Sequence, residues 1–276
     1  MTHLDYNDIT VTILGSGTCV PSLRRSSCSV LVQTGGRQLL FDAGQGTIRR
    51  LLEAGITIFE ISHIFFSHFH PDHTGELVPF LFSTRYSDEK KRKKPLVIAG
   101  GKGFASFYSG LKAVYGIWIE LDEEILKIIE FDNAARDMRK FNNFTIETIP
   151  VQHNEESIAY RIISPAGTVI VYSGDTDFSL NLVDLAQNAD LLICEASFPD
   201  SKKVKGHLTP SLAGEIASKA NVKKLALTHF YPICDEYDIK KECRKNYDGQ
   251  IILAEDHLRI SIPACKGRKK NEILSC

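Results

Sequence analysis

The chain has 276 residues, of which 43% are hydrophobic and 24% charged, a composition typical of globular proteins. Its 33 basic and 34 acidic side chains give a formal net charge of -1. This balance excludes a global attraction to nucleic acid, so a polyanionic partner needs a local patch or metal ions. The sequence contains no apolar run long enough to span a membrane and no secretory signal, and therefore predicts a cytoplasmic protein.

The N-terminal part of the chain is predicted to form strands that end in polar loops. A strand over 9–14 precedes a hairpin of two strands, 29–34 and 38–41. Asp42 follows this hairpin directly, and a helix is predicted beyond it, through Leu52. Two interpretations of Asp42 stay open, because it can cap the N-terminus of this helix or orient a ligand histidine through its carboxylate.

The most informative stretch, 67–75, has the sequence Ser-His-Phe-His-Pro-Asp-His-Thr-Gly. The apolar run 61–66 before it predicts a buried strand, and 74–77 predicts a helix start, so the polar residues occupy a tight loop between the two. Imidazoles and carboxylates are costly to bury without partners, and both are ligands of Zn²⁺ and similar divalent ions. The loop is therefore predicted to bind metal through His68, His70, Asp72 and His73.

A basic run in the next segment has two interpretations. It is either a solvated loop tip or a patch that binds phosphate groups. Beyond it, a strand is predicted over 95–100 and an amphipathic helix over 102–115, whereas 118–130 fits either a strand or a helix. The run consists of Lys90, Lys91, Arg92, Lys93 and Lys94.

The second half of the chain places ionisable residues at the C-terminal ends of apolar strands. Strands are predicted over 144–151, 168–172, 191–195 and 224–228. Such strand ends are expected to meet at one edge of two sheets packed back to back. Across the whole chain, the residues at such ends are Asp42, His68, His153, Asp175, Glu195 and His229.

Seven candidate metal ligands result. Two ions about 3.5–4 Å apart need roughly three ligands each and one bridge, and Asp175 is the natural bridge because a carboxylate has two oxygens. Such a pair makes a bridging hydroxide available near neutral pH, which Asp72 is placed to orient. His63 is predicted to be buried and hydrogen-bonded rather than a ligand. The candidate ligands are His68, His70, Asp72, His73, His153, Asp175 and His229.

A proton donor for the leaving group is also predicted. His207 lies at a predicted helix start, and Glu195 ends the neighbouring strand, so the carboxylate can hold the imidazole in the tautomer that donates. The alternatives are a surface histidine for His207 and a salt bridge at the edge of the core for Glu195. The catalytic set is therefore Asp72, His207 and Glu195.

Seven motifs carry a family resemblance: 14–17 (Leu-Gly-Ser-Gly), 40–47 (Leu-Phe-Asp-Ala-Gly-Gln-Gly-Thr), 68–73, 173–176 (Ser-Gly-Asp-Thr), 194–198 (Cys-Glu-Ala-Ser-Phe), 207–209 (His-Leu-Thr) and 227–230 (Leu-Thr-His-Phe). They resemble the metallo-β-lactamase-fold hydrolases, especially ribonuclease Z and its short relatives. The resemblance implies a four-layered αββα sandwich and two divalent ions, zinc or alternatively manganese or iron. It places His68, His70 and His153 on one ion, and Asp72, His73 and His229 on the other.

Two features depart from the common ribonuclease Z pattern. Those enzymes carry a long arm for transfer RNA, often between the positions of His153 and Asp175, where this chain has only a predicted hairpin. The segment 230–232 also lacks the Ser-Arg-Tyr pattern of that family.

We therefore expect a metal-dependent hydrolase, either a phosphodiesterase for a small substrate or a ribonuclease Z-like endonuclease for RNA. The alternatives are a hydrolase for an ester, thioester or lactam, and a metal-binding protein without turnover. One domain is expected over 1–265, with a frayed tail over 266–276. No membrane association is expected, and a homodimer stays open.

Overall fold

The computed structural model describes residues 9–86 and 92–263. The predicted tail, 266–276, lies outside the described residues, as do Lys90 and Lys91 of the basic run. Within the described part of the chain, none of the helices is both long and apolar enough to cross a membrane.

The described chain forms fourteen strands. Most of them are rich in Val, Ile, Leu and Phe, and the strands in the middle of each sheet are buried on both faces, as expected when both faces are covered. In chain order the strands are β1 (Ile9–Gly15), β2 (Ser29–Thr34), β3 (Arg37–Phe41), β4 (Ile61–Phe65), β5 (Leu96–Gly101), β6 (Leu126–Phe131), β7 (Asp137–Phe141), β8 (Phe144–Pro150), β9 (Ile158–Ile163), β10 (Val169–Tyr172), β11 (Leu191–Glu195), β12 (Lys224–Thr228), β13 (Gln250–Leu253) and β14 (Arg259–Ile262).

Seven α-helices connect these strands. Two have side-chain caps, since the side chains of Ser179 and Asp238 accept hydrogen bonds from the first-turn amides of α5 and α7. In chain order the helices are α1 (Thr47–Glu53), α2 (Pro71–Thr74), α3 (Leu77–Tyr86), α4 (Phe104–Tyr115), α5 (Leu180–Leu185), α6 (Pro210–Lys219) and α7 (Ile239–Cys243).

The strands form two mixed sheets of seven. The first has the order β14-β1-β2-β3-β4-β5-β6, and the second has the order β13-β12-β11-β10-β9-β8-β7. Strands β3 to β6 are parallel, and so are β10 to β13. Strand β8 points the same way as β10, because both pair antiparallel with β9. The C-terminal ends of β8, β10, β11 and β12 therefore lie at one edge.

Three apolar layers hold the two sheets and the helices together. Between the sheets, Phe41 and Phe65 stack with ring centroids 5.0 Å apart and pack against Tyr160 of the opposite sheet. A second layer lies between the first sheet and helices α1, α3 and α4, and a third lies between the second sheet and α5 to α7. The predicted αββα sandwich is confirmed.

Hydrogen bonds between the sheets bring their ionisable edges together. The Tyr160 hydroxyl donates to the carbonyl oxygen of Phe66 at 2.7 Å, and the amide of Ile158 donates to the carbonyl oxygen of Ser67 at 3.0 Å. Ser67 and its neighbour His68 follow β4, whereas Ile158 begins β9. The loop with the histidines of the first sheet therefore lies against the second sheet.

Local structure settles three open predictions. Helix α1 is capped by Gly46, so the interpretation of Asp42 as its N-terminal cap is wrong. The ambiguous segment 118–130 contains the end of a 3-10 helix, Gly116–Ile119, and most of β6. Arg92 of the basic run is only 7% exposed and donates to the carbonyl oxygens of Ile58 and Ile61, so this residue belongs to neither a solvated tip nor a phosphate patch.

His63 gives the fold a specific pH dependence. Burial, reinforced by the positive charge of Arg37, lowers the pKa of His63 to about 4. Because the unfolded imidazole titrates near pH 6.5, the unfolded chain binds this proton first as the pH falls, and the free energy of unfolding decreases between about pH 6.5 and pH 4. We expect His63 to account for a loss of about 2 kcal/mol between about pH 7.5 and pH 5.

Urea unfolding of the wild type and of His63→Phe at both pH values measures this contribution. The variant keeps an aromatic ring at the position but has no titrating group there. Its stability should therefore fall less on acidification. Identical pH dependence in the two proteins would show that His63 titrates alike in the folded and unfolded chains.

Candidate metal centre

The edge shared by the two sheets is built from strained or closely packed loops. Asp42 and His229 follow β3 and β12 with φ angles of 57° and 59°, which non-glycine residues adopt rarely. Gly174 follows β10 with φ 57°, and a Cβ there would lie 2.4 Å from Cβ of Ser67. Glycine is therefore required at this position, where the loop that carries Asp175 passes the loop that carries His68.

One cluster combines three histidines with Asp175. His70 Nδ1 and His153 Nε2 lie 3.3 Å apart. Asp175 Oδ2 lies 3.8 Å from His68 Nε2 and 4.0 Å from His153 Nε2. One donor atom from each residue lies within 4.8 Å of the others, so the four side chains have the spacing of ligands around one ion.

A second cluster adjoins the first through the other oxygen of Asp175. His73 Nε2 and His229 Nε2 lie 3.2 Å apart, and Asp72 Oδ2 lies 3.6 Å from His229 Nε2. Asp175 Oδ1 lies 3.3 Å and 3.4 Å from these two nitrogens. All seven predicted ligands thus come together, and Asp175 faces both clusters with separate oxygens.

Hydrogen bonds behind the clusters fix which nitrogen of each ring is free. His73 Nδ1 lies 2.7 Å from Asp42 Oδ2, and His153 Nδ1 lies 2.8 Å from the carbonyl oxygen of Gly206. Both partners only accept hydrogen bonds, so each Nδ1 carries the proton. In the neutral rings, Nε2 of His73 and of His153 therefore points its lone pair into a cluster.

Two serine hydroxyls likewise accept a hydrogen bond from Nδ1 of a ligand histidine. Ser67 Oγ donates to Asp42 Oδ2, and Ser197 Oγ donates to Glu195 Oε2. Since each hydroxyl has one proton, it accepts from the histidine beside it: His68 Nδ1 at 3.0 Å from Ser67 and His229 Nδ1 at 2.9 Å from Ser197. Nε2 of both histidines is then free as a ligand atom.

The fifth ligand imidazole uses the opposite nitrogen. His70 presents Nδ1 to its cluster, and its Nε2 lies 3.1 Å from the side-chain amide of Asn154. Asn154 Nδ2, which also donates to Glu156 Oε1 at 3.4 Å, contacts this ring from outside the cluster.

The centre has the donor set and the unmet bonding capacity that divalent cations satisfy. His68 Nε2 and Asp175 Oδ1 are buried and have no hydrogen-bond partner among the described residues. Burial, together with the charge of His73, lowers the pKa of His68 well below its usual value. Although burial raises the pKa of Asp175, the surrounding imidazoles hold it well below its usual value. Neutral imidazole and ionised carboxylate are the forms that bind metal.

His73 lies between the carboxylates of Asp42 and Asp175, which favour its protonated form. Burial lowers its pKa, but the charges of Asp175 and Asp42 outweigh this and raise it well above the usual value. A proton on Nε2 then occupies the space between His73 and Asp175. Metal binding at this position therefore has to displace a proton.

Asp42 is the buried anchor of this arrangement. Its carboxylate accepts hydrogen bonds from the amide and hydroxyl of Ser67 and from the Tyr172 hydroxyl at 2.6 Å, besides His73 Nδ1. The contact with His73 supports the interpretation of Asp42 as a carboxylate that orients a ligand histidine. Its role in metal binding stays a prediction.

Replacement of Asp42 by asparagine tests that role. The variant loses the charge that orients His73, and we expect the affinity for divalent metal to fall about 10–100-fold, as is usual for such supporting carboxylates. Metal titration by calorimetry measures the change. Asp190→Asn is the matched control, because Asp190 is also buried but precedes β11 at the opposite edge. Equal metal affinity in the two variants would contradict this role.

The predicted proton donor lies beside the second cluster. His207 Nδ1 lies 3.1 Å from Glu195 Oε1 and 3.9 Å from Asp175 Oδ2. Burial lowers the pKa of His207, but the hydrogen bond and charge of Glu195 outweigh it and raise the pKa. The structure therefore brings the predicted pair His207 and Glu195 together, with a carboxylate that favours the protonated imidazole. A catalytic role for either residue stays a prediction.

Glu195 also organises its surroundings. Besides His207, its oxygens accept from the Thr176 amide at 2.6 Å, the Leu208 amide at 3.1 Å and the Ser197 hydroxyl at 2.5 Å. Glu195 is 1% exposed and fully hydrogen-bonded, so it is more than a salt bridge at the edge of the core. One carboxylate thus supports both His207 and, through Ser197, the ligand candidate His229.

Sequence reasoning missed the residues that hold the ligand candidates. Ser67, Asn154, Tyr172 and Ser197 had no assigned role, although each lies within two residues of a strand end or of a predicted ligand. That proximity was the available signal. It is weak, because serine, asparagine and tyrosine are common at strand ends.

Comparison with known proteins identifies the family. The family model for the anti-Pycsar protein Apyc1 matches residues 9–248. The chain belongs to the Apyc1 family. This match includes every residue of the two clusters and both His207 and Glu195.

Relatives of this Apyc1-family chain include ribonuclease Z proteins of archaea. Ribonuclease Z of Haloarcula marismortui is 30% identical, over 92% of this chain and 97% of its own length. Ribonuclease Z of Archaeoglobus fulgidus is 30% identical, over 91% and 97%.

Two solved structures are similar to this Apyc1-family chain over nearly its whole length. The short form of human tRNase Z has a TM-score of 0.76 and 26% identity, covering 92% of this chain and 99% of that one. The metallo-β-lactamase fold protein YhfI of Bacillus subtilis has a TM-score of 0.78 and 23% identity, with the same coverage. The predicted family and fold are confirmed, and the chain is a metal-dependent hydrolase similar to ribonuclease Z.

Proposed function

We propose that the chain hydrolyses small nucleotide phosphodiesters with two divalent metal ions. The observation that carries this proposal is the pair of clusters that share Asp175, one oxygen facing each. His68, His70 and His153 would hold one ion, and Asp72, His73 and His229 the other. Zinc and a cytoplasmic location remain the expectations from sequence.

Two ions in such a site activate water and offset the negative charge that builds up on a phosphoryl group. The protein's own side chains set the charge of the site and the position of the attacking water. Asp175 and Asp72 add two carboxylates to five imidazoles, so the centre is not overloaded with negative charge that would repel a phosphodiester. Asp72 Oδ2 lies 3.6 Å from His229 Nε2 in the second cluster, and it would orient the attacking water.

His207 would protonate the leaving oxygen. Its Nδ1 proton is held by Glu195, and Nε2 has no hydrogen-bond partner among the described residues. The imidazole is partly exposed, so a substrate can reach it. A proton on Nε2 can then pass to a departing alkoxide, the step at which phosphodiester hydrolysis needs an acid.

The distribution of charge favours a small substrate over a long RNA. No protruding arm follows His153 in this fold, since only the hairpin β9–β10 lies between it and Asp175. Arg92 contacts Ile61 at the start of β4, so the described part of the basic run lies at the edge opposite the metal centre. An RNA bound at the centre would lack these phosphate contacts.

Cleavage of RNA is the second candidate, because relatives at 30% identity are ribonuclease Z proteins. Both candidates use the same centre and differ in how much of the substrate is bound outside it. A direct comparison of substrates therefore separates them.

The test compares turnover of a 3′,5′-cyclic nucleotide, a precursor transfer RNA, bis(p-nitrophenyl) phosphate and a β-lactam. We expect metal-dependent cleavage of the two small diesters, with kcat/KM for the cyclic nucleotide above that for the transfer RNA. In Asp72→Ala, diester turnover should fall by at least about 10³-fold, because the orienting carboxylate is lost. Asp184→Ala, an exposed carboxylate on α5, is the matched control and should retain turnover.

Turnover of the lactam without any diester cleavage would overturn the proposal. So would full diester turnover in Asp72→Ala. Preference for the precursor transfer RNA would retain phosphodiester hydrolysis but replace the small substrate with RNA.

A further inference from the structure

A cavity of about 650 Å³ opens at the edge of the sheets opposite the metal centre. The starts of β3, β4 and β5 and the turn between β7 and β8 bound it. Beside it, Asn143 Nδ2 donates to the carbonyl oxygen of Gly35 at 2.8 Å and joins the turns of the two sheets. Its volume falls within the range of about 300–1,000 Å³ that is usual for small-molecule sites.

The mouth of this cavity is cationic. Arg37, Lys94 and Lys140 line it, and no carboxylate of the described chain forms an ion pair with any of them. Glu60 is the acidic residue in the lining, and its Oε2 is taken up by the amide and hydroxyl of Thr57 at 2.8 Å and 2.7 Å. Three cations facing one engaged carboxylate favour an anionic ligand.

The floor of the cavity carries an imidazole with an unused nitrogen. His63 is 8% exposed, and its Nδ1 lies 2.9 Å from Ser62 Oγ, whereas Nε2 has no hydrogen-bond partner among the described residues. The rings of Phe141 and Phe144 stand edge-on to it, each with its centroid at 5.0 Å. A polar nitrogen on the cavity wall without a protein partner is available for a hydrogen bond with a ligand or water.

We infer that this cavity binds a nucleoside monophosphate, with the phosphate at Arg37, Lys94 and Lys140 and the polar edge of the base at His63. A phosphate ion alone would use the cations but leave the aromatic floor and His63 Nε2 unused. A phosphate joined to a planar, polar ring matches both parts of the lining. The site is separate from the metal centre, because the two lie at opposite ends of the strands.

Hydrogen exchange of the metal-loaded protein locates the ligand. On addition of adenosine 5′-monophosphate, we expect slower exchange in segments 36–41, 59–65 and 139–146, which surround the cavity. Inorganic phosphate should protect the same segments more weakly, because it lacks the base. Protection limited to the metal loop, 66–75, would show that the nucleotide binds at the metal centre alone and would overturn the inference.

Charge reversal tests the contacts. In Arg37→Glu combined with Lys140→Glu, the affinity measured from segments 36–41 and 139–146 should fall by at least about tenfold, since charge-assisted hydrogen bonds to phosphate are lost. Phosphodiester turnover should stay within about twofold of the wild type. Lys140→Glu alone, on an exposed residue of β7, keeps the test valid where the double variant unfolds. Lys241→Glu on α7 is the control for net charge.

A separate variant, His63→Phe, tests the contact between the base and His63. His63→Phe keeps a ring in the aromatic cluster but removes Nε2. Its affinity for adenosine 5′-monophosphate should fall towards that for inorganic phosphate, whose own affinity should not change. Unchanged nucleotide affinity in either the charge-reversal variants or His63→Phe would contradict the proposed binding mode.

Discussion

Replacement of Asp175 by alanine should lower phosphodiester hydrolysis by at least about 10³-fold and remove bound metal. Asp175 is the residue whose two oxygens face both clusters, at 3.8 Å from His68 Nε2 and 3.3 Å from His73 Nε2. Its loss takes a ligand from both ions at once. His153→Ala removes a ligand from one cluster only, so it should weaken one ion and leave the other in place.

Activity assays and metal analysis on the same samples separate these outcomes. Asp190→Ala is the control, because it removes an equally buried carboxylate at the far edge of the second sheet. We expect the control to bind metal like the wild type. An Asp175→Ala protein that still binds two ions would show that the two clusters do not share this carboxylate.

The second large effect concerns the leaving group. His207→Ala should lower hydrolysis of a diester with an alkyl leaving group by about 10²–10⁴-fold, because an alkoxide needs a proton as it departs. The same variant should lose less than about tenfold on bis(p-nitrophenyl) phosphate, whose p-nitrophenolate leaves readily without an acid. The ratio of the two kcat values is the quantity to measure.

Glu195→Gln separates positioning from chemistry. The variant keeps His207 but loses the charge 3.1 Å from its Nδ1, so its rate should fall on the alkyl diester more than on the nitrophenyl diester. His257→Ala, a surface histidine paired with Glu53, is the matched control. Equal losses on both substrates in His207→Ala would indicate a structural role and not proton donation.

Much of the fold was predictable because strand periodicity and strand ends are local features. The apolar runs before Asp42, His68 and Asp175 predicted buried strands, and the observed strands end within three residues of each of these side chains. The segment 118–130 was not predictable in the same way. Its 3-10 turn is set by packing of Ile119 into the core beside Tyr108, which a local pattern does not contain.

The ligand candidates were also predictable, because several histidines and aspartates close together at strand ends are typical of a metal site. Their supports were not. Whether Asp42 caps α1 or contacts His73 depends on Gly46 taking the capping position and on a loop 31 residues away. Ser67 and Ser197 matter because each hydroxyl lies between a carboxylate and a histidine, a relation that appears only in three dimensions.

The basic run contains a structural residue that the sequence did not predict. A string of lysine and arginine suggests solvent or phosphate, yet Arg92 is buried and bonded to the carbonyl oxygens of Ile58 and Ile61. Burial lowers the pKa of Arg92 to about 10, which still leaves it charged near neutral pH. Its chain neighbour Lys94 faces the cavity instead. The run of positive charges in the sequence therefore did not show that Arg92 is buried while Lys94 lines the cavity.

Elemental analysis of the purified protein, after extensive dialysis against metal-free buffer, decides whether these side chains form a two-ion centre. Seven donors arranged in two clusters around Asp175 predict about two divalent ions per chain. One ion per chain, or none, would contradict the shared centre on which the proposed hydrolysis depends.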